Sequence, residues 1–241
     1  MVAENVNMKA VAAELIGTFI LVFMGTATAV LAGSGLLGLG GMGILAIAFA
    51  FGFTLMVLAY AIGPVSGCHV NPAVTIAMLH AKKIRQKDAM YYVGAQLVGG
   101  FAASAILLFI LAGIAGNPSA GVAEYSKVLH GLGANDVPSF MTGTSQFLLE
   151  VVLTALFLFV ILSVTSPKGN SQLSGFAIGG YLFVAHLIGV PLGGSSLNPA
   201  RSLGPALFQG GTALANVWVF ILGPIVGALV GYYLYSMISR K

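Results

Sequence analysis

The sequence predicts an all-α membrane protein in which six transmembrane helices and two half-helices form two inverted repeats. Three observations carry that expectation. The 241-residue chain is 58% hydrophobic and 7% charged, with a mean hydropathy of +1.00, whereas about a quarter of a soluble domain is charged. No Asp, Glu, Lys or Arg occurs in 15–81, 89–123, 169–200 or 202–239. The tripeptide Asn-Pro-Ala occurs twice, at Asn71-Pro72-Ala73 and Asn198-Pro199-Ala200, 127 residues apart and each time in apolar surroundings.

A crossing helix needs roughly 20 apolar residues, so the uncharged stretches divide into spans at about 9–32, 44–62, 89–113, 140–164, 173–190 and 215–238. The first has too long an apolar core for a cleaved leader, and Glu14 lies inside it. Each Asn-Pro-Ala follows a span, the second and the fifth. Asn as N-cap with Pro at the first helical position starts a helix. From Pro72 to His80 there are nine residues, and from Pro199 to Gln209 eleven. Neither can cross a bilayer, so both are half-helices entering from a surface.

The 127-residue offset also aligns Phe49-Ala50 with Phe176-Ala177, Gly52 with Gly179, Pro64 with Pro191 and Gly67 with Gly194. At an offset of 136, Glu14 aligns with Glu150. Each half reads as span with acid, span, half-helix, span, within one channel domain over 1–241, repeat 1 covering about 1–117 and repeat 2 about 138–241. Three spans per half is odd, so the second half is inverted and the half-helix N-termini meet near mid-bilayer. Inverted repeats place their site at the repeat interface, on broken helices. The long connection from about 114 to 139, with Pro118 and Pro138, carries the chain across the outer face. Gly223, Gly227 and Gly231, and Gly175 and Gly179, have the spacing that lets helix backbones approach.

Lys9, the cluster Lys82, Lys83, Arg85 and Lys87, then Lys168, Arg240 and Lys241 flank alternate connections. With both termini cytoplasmic these eight of the ten Lys and Arg lie inside, as the positive-inside rule asks. Lys127 is then outside and Arg201 at membrane depth. The net charge of +4 follows from topology, and no basic-aromatic surface suggests nucleic acid. The single Cys68 excludes an internal disulfide, and neither a metal site nor a cofactor is expected. Gly38-Leu39-Gly40-Gly41-Met42-Gly43 matches a nucleotide-loop pattern but lacks the strand before it and an acid after it, and reads as an outer loop.

An N-cap Asn uses its side-chain oxygen on the helix, which leaves its amide as two donors. At Asn71 and Asn198 these donors face the space between the tips, where each helix end adds about half a positive charge. Before each tip lies an irregular segment, Gly67-Cys68-His69-Val70 and Gly194-Ser195-Ser196-Leu197, whose carbonyls are candidate pore acceptors, because such backbone is tolerated at this depth where it is buried or lines a water-filled cavity. A central water that accepts from both Asn side chains cannot also accept from a neighbouring water, which interrupts a proton wire.

The segments Ser66-Gly67-Cys68-His69-Val70-Asn71-Pro72-Ala73-Val74-Thr75 and Gly194-Ser195-Ser196-Leu197-Asn198-Pro199-Ala200-Arg201-Ser202 resemble the signatures of the aquaporin (major intrinsic protein) family. Gln96, the two acids and the Trp218…Gly223-Pro224 segment extend the resemblance over nearly the whole chain. It implies a selectivity constriction at Phe51, His186, Ser195 and Arg201, of the water-channel type. Glycerol conductors usually carry a small residue in place of His186 and Asp in place of Ser202. Ile221 departs from the Trp of many water channels. The resemblance also implies a homotetramer in the cell membrane, carrying water and small neutral solutes through each subunit.

Glu14 and Glu150 are either proton carriers or structural acceptors for the loops before the half-helices, and their repeated placement favours the structural role. His69 either lines the pore or braces its loop. His80 and His130 are interfacial or loop residues. Cys68 is either a reactive thiol or an inert buried one. A glycerol facilitator of the same fold is the runner-up. An ion-coupled transporter needs further titratable groups on the path. A hydrolase using Ser195 or Ser196 with His186 lacks any activated-nucleophile motif, so no enzyme is expected.

Overall fold

The computed structural model describes residues 5–33, 39–114 and 131–239. Among these residues the chain is helical and contains no strand. The first half comprises α1 (Met8–Gly33), α2 (Met42–Ser66), the short α3 (Pro72–His80) and α4 (Gln86–Ile114). The second comprises α5 (Gly143–Val164), α6 (Ser174–Gly189), the short α7 (Pro199–Gln209), a five-residue α8 (Gly211–Ala215) and α9 (Val217–Ser239). Among the described residues six segments are long and apolar enough to cross a bilayer, and each overlaps one of the six expected spans. Pro118, Lys127, His130, Arg240, Lys241 and Gly38 lie outside the described residues.

Packing repeats between the halves. Helix α1 lies along α4 as α5 lies along α9, and α2 crosses α6 at the centre. The half-helices are exchanged: α3 packs on α9 as well as α4, and α7 packs on α4 as well as α9. At the central crossing the aligned glycines meet. A Cβ on Gly52 would stand 2.7 Å from Gly179 O, and one on Gly179 would stand 2.5 Å from Gly52 O. The backbones therefore touch, as small residues permit in lipid. Gly223, Gly227 and Gly231 all face α5.

Several helix boundaries differ from the expected spans. Helix α2 continues through Pro64 to Ser66, past the expected end at 62, whereas α6 stops at Gly189 and Pro191 sits in a 3-10 turn, Val190–Leu192. The glycine loop ends at Gly41, so Met42 and Gly43 belong to α2.

Candidate functional site

Each half-helix begins as its sequence dictates. Asn71 is extended (φ −160°) and its side-chain oxygen accepts from Ala73 N at 2.9 Å, with Pro72 opening the helix. Asn198 does the same (φ −149°), accepting from Ala200 N at 3.0 Å and Arg201 N at 3.4 Å. The tips meet. Asn71 Nδ2 donates to Leu197 O at 2.7 Å and Asn198 Nδ2 donates to Val70 O at 2.8 Å. This corrects the expectation of two idle donors per side chain: one N–H of each is used across the junction and one remains. It also engages the carbonyls of Val70 and Leu197, both expected as pore acceptors, in the junction itself.

The segments before the tips are held by the two buried acids. Glu14 accepts from His69 N (2.9 Å), Val70 N (2.6 Å), Ser66 Oγ (2.7 Å) and Gln96 Nε2 (2.8 Å). Glu150 accepts from Ser196 N (2.8 Å) and Leu197 N (3.0 Å). The two carboxylates thus bind the same two positions before each Asn.

Three cavities run end to end past the junction. At one end, a cavity of about 660 Å³ is lined by Gly133, Gly194, Gln209 and Arg201 among others. The central one, about 310 Å³, has an apolar wall of Leu21, Phe51, Leu55, Phe157 and Leu182. It is also lined by His69, Val70, Asn71, His186, Ser196, Leu197, Asn198 and Arg201. The third, about 850 Å³, is lined by Gly67, Cys68, His69 and Lys83 among others. Arg201 belongs to the first and second cavities, and Leu55, His69 and Phe157 to the second and third. The first is hereafter the Gly133 end and the third the Lys83 end.

Phe51, His186 and Arg201 converge where the first two cavities join. The Phe51 and His186 rings stack with centroids 4.4 Å apart, and Arg201 Cζ lies 5.0 Å from the Phe51 centroid. All three side chains are 3% exposed or less. His186 Nδ1 lies 2.9 Å from Leu182 O. A carbonyl only accepts, so Nδ1 carries the proton, and Nε2 has no protein partner among the described residues. Arg201 Nη1 donates to Gly133 O at 2.8 Å. Ser195 does not join this ring of side chains. It is buried, it is absent from the lining of all three cavities, and its Oγ packs toward Gly189, where an added Cβ would be 2.6 Å away.

His69 lines two cavities while its Nδ1 is hydrogen-bonded to Thr75 Oγ1 at 3.1 Å, so it both lines and braces. Cys68 is half-buried and faces the cavity at the Lys83 end. His80 closes α3 and is hydrogen-bonded to Tyr233 Oη at 3.1 Å. Among the described residues no group of His, Cys, Asp and Glu could hold a metal.

Comparison with known proteins agrees with this architecture. The family model of the major intrinsic protein matches residues 1–235. The chain is 39% identical over 236 residues to Aquaporin Z of Rhodopseudomonas palustris, covering 98% of this chain and 95% of that protein. It is 43% identical over 227 residues to glycerol uptake facilitator protein-like 6 of Lactiplantibacillus plantarum, covering 94% and 96%. The fold superposes on the crystal structure of the aquaglyceroporin from Plasmodium falciparum with a TM-score of 0.81 at 24% identity, over 96% of both chains.

Proposed function

The chain belongs to the major intrinsic protein family of multi-pass membrane channels, which are not enzymes, and from that premise we propose that it is a passive water channel. It is driven by osmotic gradients and excludes ions and protons. The observation that carries this reading is the contact of Phe51 with both His186 and Arg201, with ring centroids 4.4 Å apart and the guanidinium carbon 5.0 Å from the phenyl centre. An aperture formed by three touching side chains suits a single-file molecule of water size.

A water stripped of its neighbours loses about 1–3 kcal/mol for each hydrogen bond left unmade. At the aperture, Arg201 donors and the His186 Nε2 acceptor replace those bonds while Phe51 supplies an inert wall. Ser195 sits between Gly194, which lines the Gly133 end, and Ser196, which lines the central cavity, and lines neither itself. At the junction, the remaining N–H of Asn71 and that of Asn198 converge on one water oxygen. That water's own hydrogens then point away, toward the carbonyls of Gly67, Cys68 and His69 on one side and Gly194, Ser195 and Ser196 on the other. No chain of donors runs through in one direction, so protons do not hop. Two helix N-termini, each about half a positive charge, and Arg201 oppose cations, an arrangement already attributed to pores of this kind. A small cation entering an apolar-walled passage forfeits a hydration energy of tens of kcal/mol at low dielectric, and nothing here returns it.

The basic cluster Lys82, Lys83, Arg85 and Lys87 supports a cytoplasmic Lys83 end with both termini inside. The channel sits in the cell membrane as a homotetramer with a pore in each subunit. The second reading, glycerol conduction, is favoured by the 43% identity to a protein named a glycerol uptake facilitator. Light scattering of reconstituted vesicles separates the two. Sucrose shock should give shrinkage much faster than in empty vesicles, and glycerol shock a persistent shrinkage with slow recovery. Rapid recovery in glycerol establishes the second reading. The variant His186→Gly with Phe51→Ala should admit glycerol. If its selectivity is unchanged, the aperture lies elsewhere.

A further inference from the structure

The guanidinium of Arg201 has one protein hydrogen bond among the described residues, from Nη1 to Gly133 O, while its buried Nε has none. What places the Gly133 carbonyl therefore places Arg201. Gly133 lies in a strap, 131–137, that belongs to neither half-helix. Leu132 N donates to Gln209 Oε1 of α7 at 2.9 Å. The buried Asn135 accepts from Ser202 Oγ at 2.6 Å, and its Nδ2 presses on Gly194, where an added Cβ would be 2.6 Å away. Asp136 N donates to Gly193 O at 3.2 Å. The Asp136 carboxylate accepts from Asn216 Nδ2 (2.8 Å), Thr212 Oγ1 (2.5 Å) and Val137 N (2.7 Å), which ties the strap to α8 and to the turn before α9. Neither Asn135 nor Asp136 lines the aperture.

We propose that Asp136 and Asn135 are positioning residues for Arg201: they hold the Gly133 carbonyl where it draws the guanidinium to the rim of the passage, and so keep the aperture open. An untethered guanidinium meets a free acceptor across the aperture, His186 Nε2, and bonding to it closes the path. Permeation thus depends on a hydrogen-bonding side chain that never touches the permeant. This inference takes the aperture proposed above as given.

The test is unit water permeability, per molecule counted in reconstituted vesicles, for four proteins: wild type, Asp136→Ala, Arg201→Ala and the double variant. Asp136→Ala should lose permeability several-fold, and adding Arg201→Ala should restore it, because the obstructing group is gone. General loosening of the fold would not be rescued in this way. Asp136→Asn, whose amide can keep all three partners, should behave as wild type. Undiminished permeability in Asp136→Ala, or a loss that persists in the double variant, overturns the proposal. If Asp136→Ala does not reach the vesicles, Asn135→Ala with and without Arg201→Ala is scored by the same criteria. Glycerol exclusion unchanged in Arg201→Ala instead overturns the aperture itself, so the two failures are distinguishable.

Discussion

Cys68, Val70, Ser195 and Leu197 are four of the five non-glycine residues with positive φ among the described residues, at +50°, +41°, +52° and +53°. They fall at matching places, three and one residues before each Asn. Such conformations cost about 1–3 kcal/mol each for a residue with a side chain, and Val70 is β-branched, the worst case. The two buried carboxylates offset that cost by binding the intervening N–H groups. They do so unequally: Glu14 satisfies four donors and Glu150 two. Each buried donor left unpaired costs about 1–3 kcal/mol. Glu14→Ala should therefore lower the thermal unfolding midpoint in detergent more than Glu150→Ala, with both below wild type. An inverted order would mean that the carboxylates do not hold the loops. Single positions were legible in the sequence where a motif or an offset pointed at them, as at Asn71, Asn198, Arg201 and the two acids. Pairings such as Asn71 with Leu197 were not, because a cap motif specifies what the side-chain oxygen does and is silent on where the amide donor goes.

At the scale of elements, apolar composition and charge-free length marked all six spans, while helix ends followed local chemistry that length does not show. Pro64 lies beyond the expected end of the second span and is inside α2, where losing one intrahelical N–H is tolerated in a packed membrane helix. Its repeat partner Pro191 stands in a 3-10 turn, so aligned prolines do different work. Helix α5 starts at Gly143, after the expected 140, because Thr142 caps it by accepting from Ser145 N at 3.1 Å. The crossing of α2 and α6 depends on absent side chains. A Cβ on Gly179 would meet Met56 Cβ at 2.6 Å as well as Gly52 O, whereas one on the adjacent Gly180 would meet nothing within 4 Å. Overpacking a tight contact costs about 1–3 kcal/mol, and backbone carbonyl atoms yield less than side chains. Gly179→Ala should lower the unfolding midpoint in detergent and reduce the yield of folded protein, while Gly180→Ala should match wild type within a few tenths of a kcal/mol, as surface changes do. Equal behaviour of the two would refute direct backbone contact at this crossing.

For the molecule as a whole, the exchange of half-helices between halves brings both Asn tips to one central cavity, lined by residues of both halves. The inverted repeat was visible in the 127-residue offset. The strap that tethers Arg201 was not, because Gly133, Asn135 and Asp136 reach partners at Arg201, Ser202, Thr212 and Asn216 with no periodicity or motif to mark them. The passage is asymmetric. The proposed aperture, at Phe51, His186 and Arg201, lies toward the Gly133 end, while the only thiol of the chain faces the cavity at the Lys83 end. A charged thiol reagent larger than water should therefore reach Cys68 from one side alone. In vesicles of known orientation, an anionic methanethiosulfonate applied at the Lys83 end should label Cys68 and block osmotic water flow. The same reagent confined to the Gly133 end should do neither, and Cys68→Ser should be insensitive from both. If both termini are cytoplasmic, the sensitive side is the cytoplasmic one. Labelling from the Gly133 end would mean that the three touching side chains are not the narrowest point, and equal labelling from both sides would mean that the passage has no filter at all.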